Sequence, residues 1–409
     1  MSHFWRNVSS VLVGTAVAQA IPIVGSLIIA RQYAPAEFGV FSAWLGIVML
    51  IGVVLTGRFE MALAIEADGE PRRIGVIATL ITTLLVSCFL LVVLGIAMVI
   101  DAGWFGDTPR FLIFSAVPAA LAIASTQTWQ SWAAADGYYR KLSIMRISQA
   151  ALVTLIQIIF GIICASASML ALAYLLGTVA SLTISVWLMP IGPILGKKPL
   201  DAFRNFWHRH YRFPLLSLPA DAISTAAAQL PILIVASRFG AEIAGLLAMT
   251  MRILGAPIGL LGKSVLDVFK RHAAASFRER GECRSDYVRT FKVLALGSLA
   301  FCAVMVICSE ALFALAFGET WRGAGAIAVW LLPLFALRFV ASPLSYMVYI
   351  ADKQHVDLIW QIALFIMTFA SLSVPQHHDF ALQAYSVGYS LLYIIYLAMS
   401  YRFSLGDRR

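Results

Sequence analysis

Charge is what this sequence has least of. Asp, Glu, Lys and Arg together make up 12% of its 409 residues, about half of the ~25% usual in a soluble domain. So little ionised surface cannot keep a globule of this size in water, and a soluble enzyme or binding module is excluded. Cysteine is scarce as well. Cys88, Cys164, Cys283, Cys302 and Cys308 show no CxxC spacing, which argues against a metal or disulfide framework, and they read as small hydrophobes or inert thiols. Acid is scarcer than base, 21 residues against 30. No segment is of low complexity. No run shows the ten-residue alternation of an outer-membrane barrel strand, and no polar stretch is long enough for a soluble domain.

What the sequence has is apolar residues, 61% of the whole, at a mean hydropathy of +0.86. They come in blocks of about twenty split by short polar loops, and ~20 residues at 1.5 Å each span a bilayer. The blocks predict about twelve spans: 10–30, 39–65, 74–100, 111–133, 146–165, 170–191, 213–236, 245–268, 293–315, 326–350, 356–374 and 380–401. The small-x-small triplets near Ala18 resemble a signal-peptidase site, but the run continues through Ala30 and is read as the first membrane helix. The fold class expected is an all-α integral membrane protein of two six-helix bundles. The lobes fall at 1–191 and 213–409, joined by a basic linker at 192–212 that contains Trp207.

An internal repeat supports that division. Ala18-Gln19-Ala20-Ile21-Pro22 is echoed by Ala228-Gln229-Leu230-Pro231. Arg31 with Ala36-Glu37-Phe38-Gly39 is echoed by Arg238 with Ala241-Glu242-Ile243-Ala244-Gly245. Arg58 and Lys263 fall at nearly the same depth in the spans that follow. An even number of spans per half makes the repeat parallel, a pseudo-two-fold about the membrane normal.

Basic residues set the orientation. With the N-terminus in the cytoplasm, the outside loops carry only Arg31, Arg110, Arg238 and Arg322. Arg58, Arg252, Lys263 and Arg338 lie within spans. Every other Lys and Arg of the 30 falls on the inside, which places both termini in the cytoplasm. The same distribution explains the pI near 9.4 without nucleic acid as a partner. The segment 270–292 reads as a basic amphipathic or irregular stretch at the cytoplasmic surface, and His208 and His210 as contacts to anionic headgroups or to nothing.

No enzyme constellation stands out. Gly262-Lys263-Ser264 resembles the end of a phosphate-binding loop, but Pro257 stands where its first glycine belongs and no strand precedes it. His377-His378-Asp379 reads as a solvated loop. What remains are ionised groups inside spans, which cost several kcal/mol and usually face a protein interior or a water-filled cavity. Arg252, Gly255, Gly259 and Lys263 share one helical face, where the glycines would admit a helix or a bulky ligand. Arg338 is the cation least able to reach an interface. Two interfacial readings stand beside these: Arg58 snorkelling, and Lys263 pairing with Asp267 one turn on. Asp221, just after Pro214 and Pro219, is a counter-charge or a proton carrier. Interior charge is mostly cationic, which suits an anionic cargo, and arginine grips phosphate bidentately.

Gly14-Thr15-Ala16 with Gln19 and Pro22, then Arg31, Pro35, Glu37-Phe38-Gly39, Phe41 and the stretch Arg58 to Leu63, resemble the start of Wzx-type polysaccharide flippases. Leu230-Pro231, Phe239-Gly240, Glu242, Ala244-Gly245, Arg252-Ile253, Pro257, Gly262 and Val268-Phe269 are similar to that family's eighth-helix region. The resemblance implies the exporter superfamily that also holds the MATE transporters, with alternating access between two bundles. It implies an undecaprenyl-pyrophosphate-linked oligosaccharide as the cargo, carried across a bacterial inner membrane. A polysaccharide polymerase and a chain-length regulator would be partners. Arg58 and Arg252 match the positions at which arginines of similar flippases meet the pyrophosphate; Arg338 and Lys263 are added from the local reading. No cofactor is expected, and proton or sodium coupling stays open. The alternatives are a MATE-like multidrug or cation antiporter, whose cavity would carry more acid than base, and a membrane polysaccharide polymerase or ligase, which would need a large external loop. A structural membrane protein without cargo is disfavoured by the buried cations.

Overall fold

The computed structural model describes residues 2–100, 109–192, 199–351 and 353–406. Among these every regular element is a helix. The chain divides into two compact units, Met1–Gln229 and Leu230–Arg409.

The first unit contains α1 (Ser2–Gln32), α2 (Pro35–Leu55), the single turn α3 (Phe59–Ala62), α4 (Glu70–Val99), α5 (Arg110–Ala135), α6 (Tyr139–Ile163), α7 (Ala167–Leu188) and α8 (Pro199–Arg209). A π turn, Phe213–Ser217, leads into α9 (Leu218–Phe239), and the change of unit falls within α9. The second unit continues with α10 (Ala241–Pro257), a π turn at Ile258–Gly262, α11 (Lys263–Arg280), α12 (Arg284–Phe317), α13 (Arg322–Leu344), the single turn α14 (Met347–Ile350), α15 (Gln354–Ser373) and α16 (His378–Ser404). Eleven helical stretches among the described residues are long and apolar enough to cross a bilayer. The eighth expected span, 245–268, is instead divided at Pro257, whose ring cannot donate to the ladder and pushes the next turn into a π form.

Local chemistry explains the helix ends. Pro35 opens α2 at a position whose N–H needs no partner. At α7 the hydroxyl of Ser166 accepts from the Met169 N–H, and Glu37 of α2 reaches across to accept from the Ala167 N–H at 2.5 Å. Glu37, part of the repeated motif, thus ties α2 to α7. Gly318, at φ 109°, ends α12 in a conformation other residues avoid. Helices meet most tightly where small residues allow it. A methyl added at Gly177 would stand 2.6 Å from the Val153 Cα, and one at Gly325 2.5 Å from the Glu310 Cα. The glycine face expected at Gly255 is looser, with only the Phe335 ring nearby, at 3.8 Å.

In the first unit Leu63, Val76, Trp129, Trp132, Leu142, Met145 and Met189 form a buried cluster, and the Trp129 indole donates to the Met189 carbonyl. In the second, Phe269, Cys283, Tyr287, Val340, Leu344 and Met347 do the same. The stretch 270–292, expected to be a peripheral cytoplasmic segment, is therefore largely helical and supplies core residues. Elsewhere large apolar side chains face outward, such as Leu85 and Phe89 of α4, each more than 60% exposed. Such surface suits hydrocarbon and not water.

Candidate functional site

In the first unit the site is built on a break in the second predicted span. That span was expected to run unbroken from Gly39 to Ile65, but α2 stops at Leu55 because Gly57 and Arg58 both take positive φ, 56° and 61°. Arg58 is the sole residue other than glycine to do so among the described residues. A side chain held there costs of order 1–3 kcal/mol and persists where the surroundings over-determine it. The surroundings here are acidic. The Arg58 Nη1 donates to Glu60 Oε1 at 2.9 Å, and its Nε lies 2.7 Å from Asp221 Oδ2 of α9. The Nε–H is not aligned on that oxygen, so the second contact is an electrostatic approach and not a shared hydrogen bond. Arg58 is 15% exposed, Glu60 3% and Asp221 38%. The second oxygen of Glu60 has no hydrogen-bond partner among the described residues. The group therefore holds one cation and two carboxylates, with one acid sealed in and the other open.

Just beyond, the linker seals the same unit. Phe206 of α8 packs against Phe59, Ala62 and Ala78, and the Trp207 indole donates to the Thr82 hydroxyl. His210, read from sequence as a headgroup contact, is buried instead, with Nε2 2.7 Å from Glu66 Oε1. Arg209 reaches the same oxygen at 3.2 Å. Burial works against ionisation of Glu66, but the bond with His210 and the charge of Arg209 outweigh it and hold its pKa below the ordinary 4.5. Arg72, counted as a loop cation, is also buried. It donates to the carbonyls of Leu63 and Glu66 and pairs with Asp68 and Asp136.

A further polar group in this unit escaped the sequence reading. Because α6 starts at Tyr139 and not at Arg146, Arg146 lies about two turns inside it, half-buried, and its Nη1 donates to the Thr15 hydroxyl at 2.9 Å. Gln130 and Gln149 pair nearby in sequence at 2.9 Å.

The second unit treats its cations differently. Arg338 lies on regular α13 and is exposed. Among the described residues no acid pairs with it. Helix α13 packs against α16, which carries Tyr385, Tyr389 and Tyr393. These three repeat every four residues and meet edge-on or tilted along one face, with ring centroids 5.1 and 5.5 Å apart, and Trp360 of α15 continues the row at 5.3 Å from Tyr393. That spacing of tyrosines is visible in the sequence and would have been the signal. Arg252 is half-buried on α10. Lys263 starts α11, and its side chain lies outside the described residues. The structure thus joins Arg58 to Asp221 within one unit, and places Arg252 and Arg338 in the other.

A family model described as "polysaccharide biosynthesis protein" matches residues 28–326. No curated protein sequence matches the chain. Among solved structures, the lipid II flippase MurJ in an inward closed conformation superposes with a TM-score of 0.74 at 12% identity, over 95% of this chain and 87% of that one. An inward-facing multidrug resistance MATE family transporter of the MOP superfamily gives 0.67 at 16% identity, over 94% of both chains. A MATE structure in complex with MaD3S gives 0.57 at 14%, over 97% and 94%. At these identities the likeness establishes the fold.

Proposed function

The chain belongs to the polysaccharide biosynthesis protein family, and from that premise we propose that it is a flippase for a lipid-linked glycan. It moves an oligosaccharide repeat unit on undecaprenyl diphosphate from the cytoplasmic to the periplasmic leaflet of the inner membrane, for surface polysaccharides such as O-antigen, capsule or exopolysaccharide. The role is transport and not catalysis. A polymerase and a chain-length regulator act on what it delivers. Its termini lie in the cytoplasm, a placement supported by the loop charge.

The observation that carries this reading is Arg58. A strained arginine, 15% exposed within an apolar unit and met at 2.7 Å, but out of line, by a partly exposed Asp221, is poised to exchange that carboxylate for a stronger anion. A diphosphate carries more charge than Asp221 and meets a guanidinium with two parallel hydrogen bonds. Arg252 and Arg338 of the second unit are assigned to anion binding as well, with Lys263 as an accessory cation. Asp221 then acts as the counter-charge between loads. A cationic cargo, such as a multidrug antiporter takes, is disfavoured by the four assigned cations, Arg58, Arg252, Arg338 and Lys263, which outnumber Glu60 and Asp221 although the Arg58 group itself holds more acid than base.

The test is complementation of a deletion strain. Wild-type protein should restore surface polysaccharide. Arg58→Ala and Arg338→Ala, present in the membrane at normal levels, should leave lipid-linked oligosaccharide trapped in the cell. Normal surface polysaccharide from both variants would remove the anion-cargo reading.

A further inference from the structure

The second unit holds a basic cavity that the proposed transport does not use. It is an open surface depression of about 590 Å³ lined by Arg280, Glu282, Arg284, Ser285, Val288, Arg289 and Lys292. Arg280 is partly neutralised, donating to the Ser276 hydroxyl and lying 3.9 Å from Asp286. Among the described residues no ion pair engages Arg284, Arg289 or Lys292, and all three are exposed. Arg284 is the first residue of α12, a helix of 34 residues, so unpaired backbone N–H groups add to the positive end.

The course of α12 past the cavity decides what the cavity fits. Arg284, Val288 and Lys292 recur every four residues, with Ser285 and Arg289 alongside, so all belong to one face. Tyr287, Leu294 and Ser298, on the opposite face, are buried. Follow the cavity face one turn further and charge stops. Leu296 is 72% exposed and Leu299 68%, and Ala303, Val306 and Ile307 continue the exposed apolar strip. From Lys292 to Ile307 the strip runs about 22 Å at 1.5 Å per residue, the length of an extended acyl chain. A free phosphate, a nucleotide or an acidic peptide has no use for that strip. A membrane lipid does, because its head is anionic and its tail must lie in hydrocarbon.

We propose that this cavity binds the phosphate of an anionic membrane phospholipid, with Arg284, Arg289 and Lys292 around the headgroup and an acyl chain along Leu296, Leu299 and Ile307. Glu282 is the one acid lining the cavity and limits the affinity. The assignment does not rest on the transport reading.

The experiment uses the full chain in nanodiscs containing phosphatidylglycerol, with native mass spectrometry counting retained lipid. Each Lys or Arg near such a headgroup contributes about fivefold, so R284Q/R289Q/K292Q should weaken phosphatidylglycerol retention on the order of 100-fold. Glu282→Gln, a near-isosteric change at an exposed position, should tighten it about fivefold and decides the matter if the triple variant fails to fold. Unchanged retention in a folded triple variant, or no gain in Glu282→Gln, would overturn the proposal. So would displacement of the lipid by inorganic phosphate, which would show that the strip contributes nothing. Displacement by undecaprenyl diphosphate alone would make the cavity a cargo port and overturn the assignment to a phospholipid.

Discussion

Arg58 in the first unit and Arg338 in the second were both read from sequence as cations within apolar runs, Arg58 near an interface it could reach and Arg338 least able to reach one. The fold separates them. Arg58 sits on a broken, left-handed stretch of backbone between Glu60 and Asp221. Arg338 sits on an unbroken helix packed against the tyrosine-bearing α16, with no carboxylate against it among the described residues. A buried pair adds little net stability, yet removing one member leaves an uncompensated charge. An exposed cation with no carboxylate against it leaves nothing uncompensated when it is lost. The two arginines should therefore differ in stability even if they serve one cargo.

The largest effect follows from that difference. Arg58→Ala should destabilise the protein by about 3–5 kcal/mol, because Glu60 stays sealed in without its partner. Arg338→Ala should stay within about 1 kcal/mol of wild type. Thermal unfolding in detergent measures both, and equal losses would break the comparison. Glu60→Gln added to Arg58→Ala sharpens it: stability should recover in large part, while export of polysaccharide should not.

A pH experiment addresses the seal beside Arg58. The Glu66 carboxyl titrates below its ordinary 4.5 in the folded protein. The stabilisation it supplies is therefore fully present above pH 4.5 and lost as pH falls through the lower folded value. Fluorescence of Trp207, whose indole is bonded to Thr82, should report detachment of α8 in that acid range. Glu66→Gln should abolish the transition, and a transition that survives the substitution would assign it elsewhere.

Smaller effects test the strain itself. Arg58→Gly removes the same charge as Arg58→Ala but accepts φ 61° without penalty, so it should be the more stable of the two by about 1 kcal/mol. Asp221→Asn should cost less than about 1 kcal/mol, because the carboxylate is partly solvated and its contact misaligned. Transport from that variant separates a counter-charge, which asparagine replaces, from a proton carrier, which it does not.

Much of the fold could be read from the chain. Hydropathy placed most of the spans to within a few residues, because each is a continuous apolar run whose backbone must satisfy itself in hydrocarbon. The breaks were less legible. Gly57-Arg58 and Pro257 were present in the sequence, but an apolar count averages over them, so two spans were drawn straight through. The site was legible as residue types and not as contacts. Arg58 and Asp221 were both singled out. Asp221 was read as a counter-charge, but its pairing with Arg58 in particular was not foreseen, because 163 residues separate them and only tertiary packing brings them together. Arg146 and the tyrosine row were overlooked, the one because a helix start was misplaced by two turns, the other because tyrosine in an apolar run reads as bulk.

His210 shows the division most plainly. The sequence placed it in a basic loop near a membrane surface, and composition offers nothing more specific. The fold buries it against Glu66, 144 residues away. Membrane residence and helical class were determined by the sequence alone, since they depend on run length and hydropathy. Which cation is pinned and which is left open was decided by tertiary structure. An ion pair depends on the last few ångströms between elements distant in the chain, and no local pattern carries that distance.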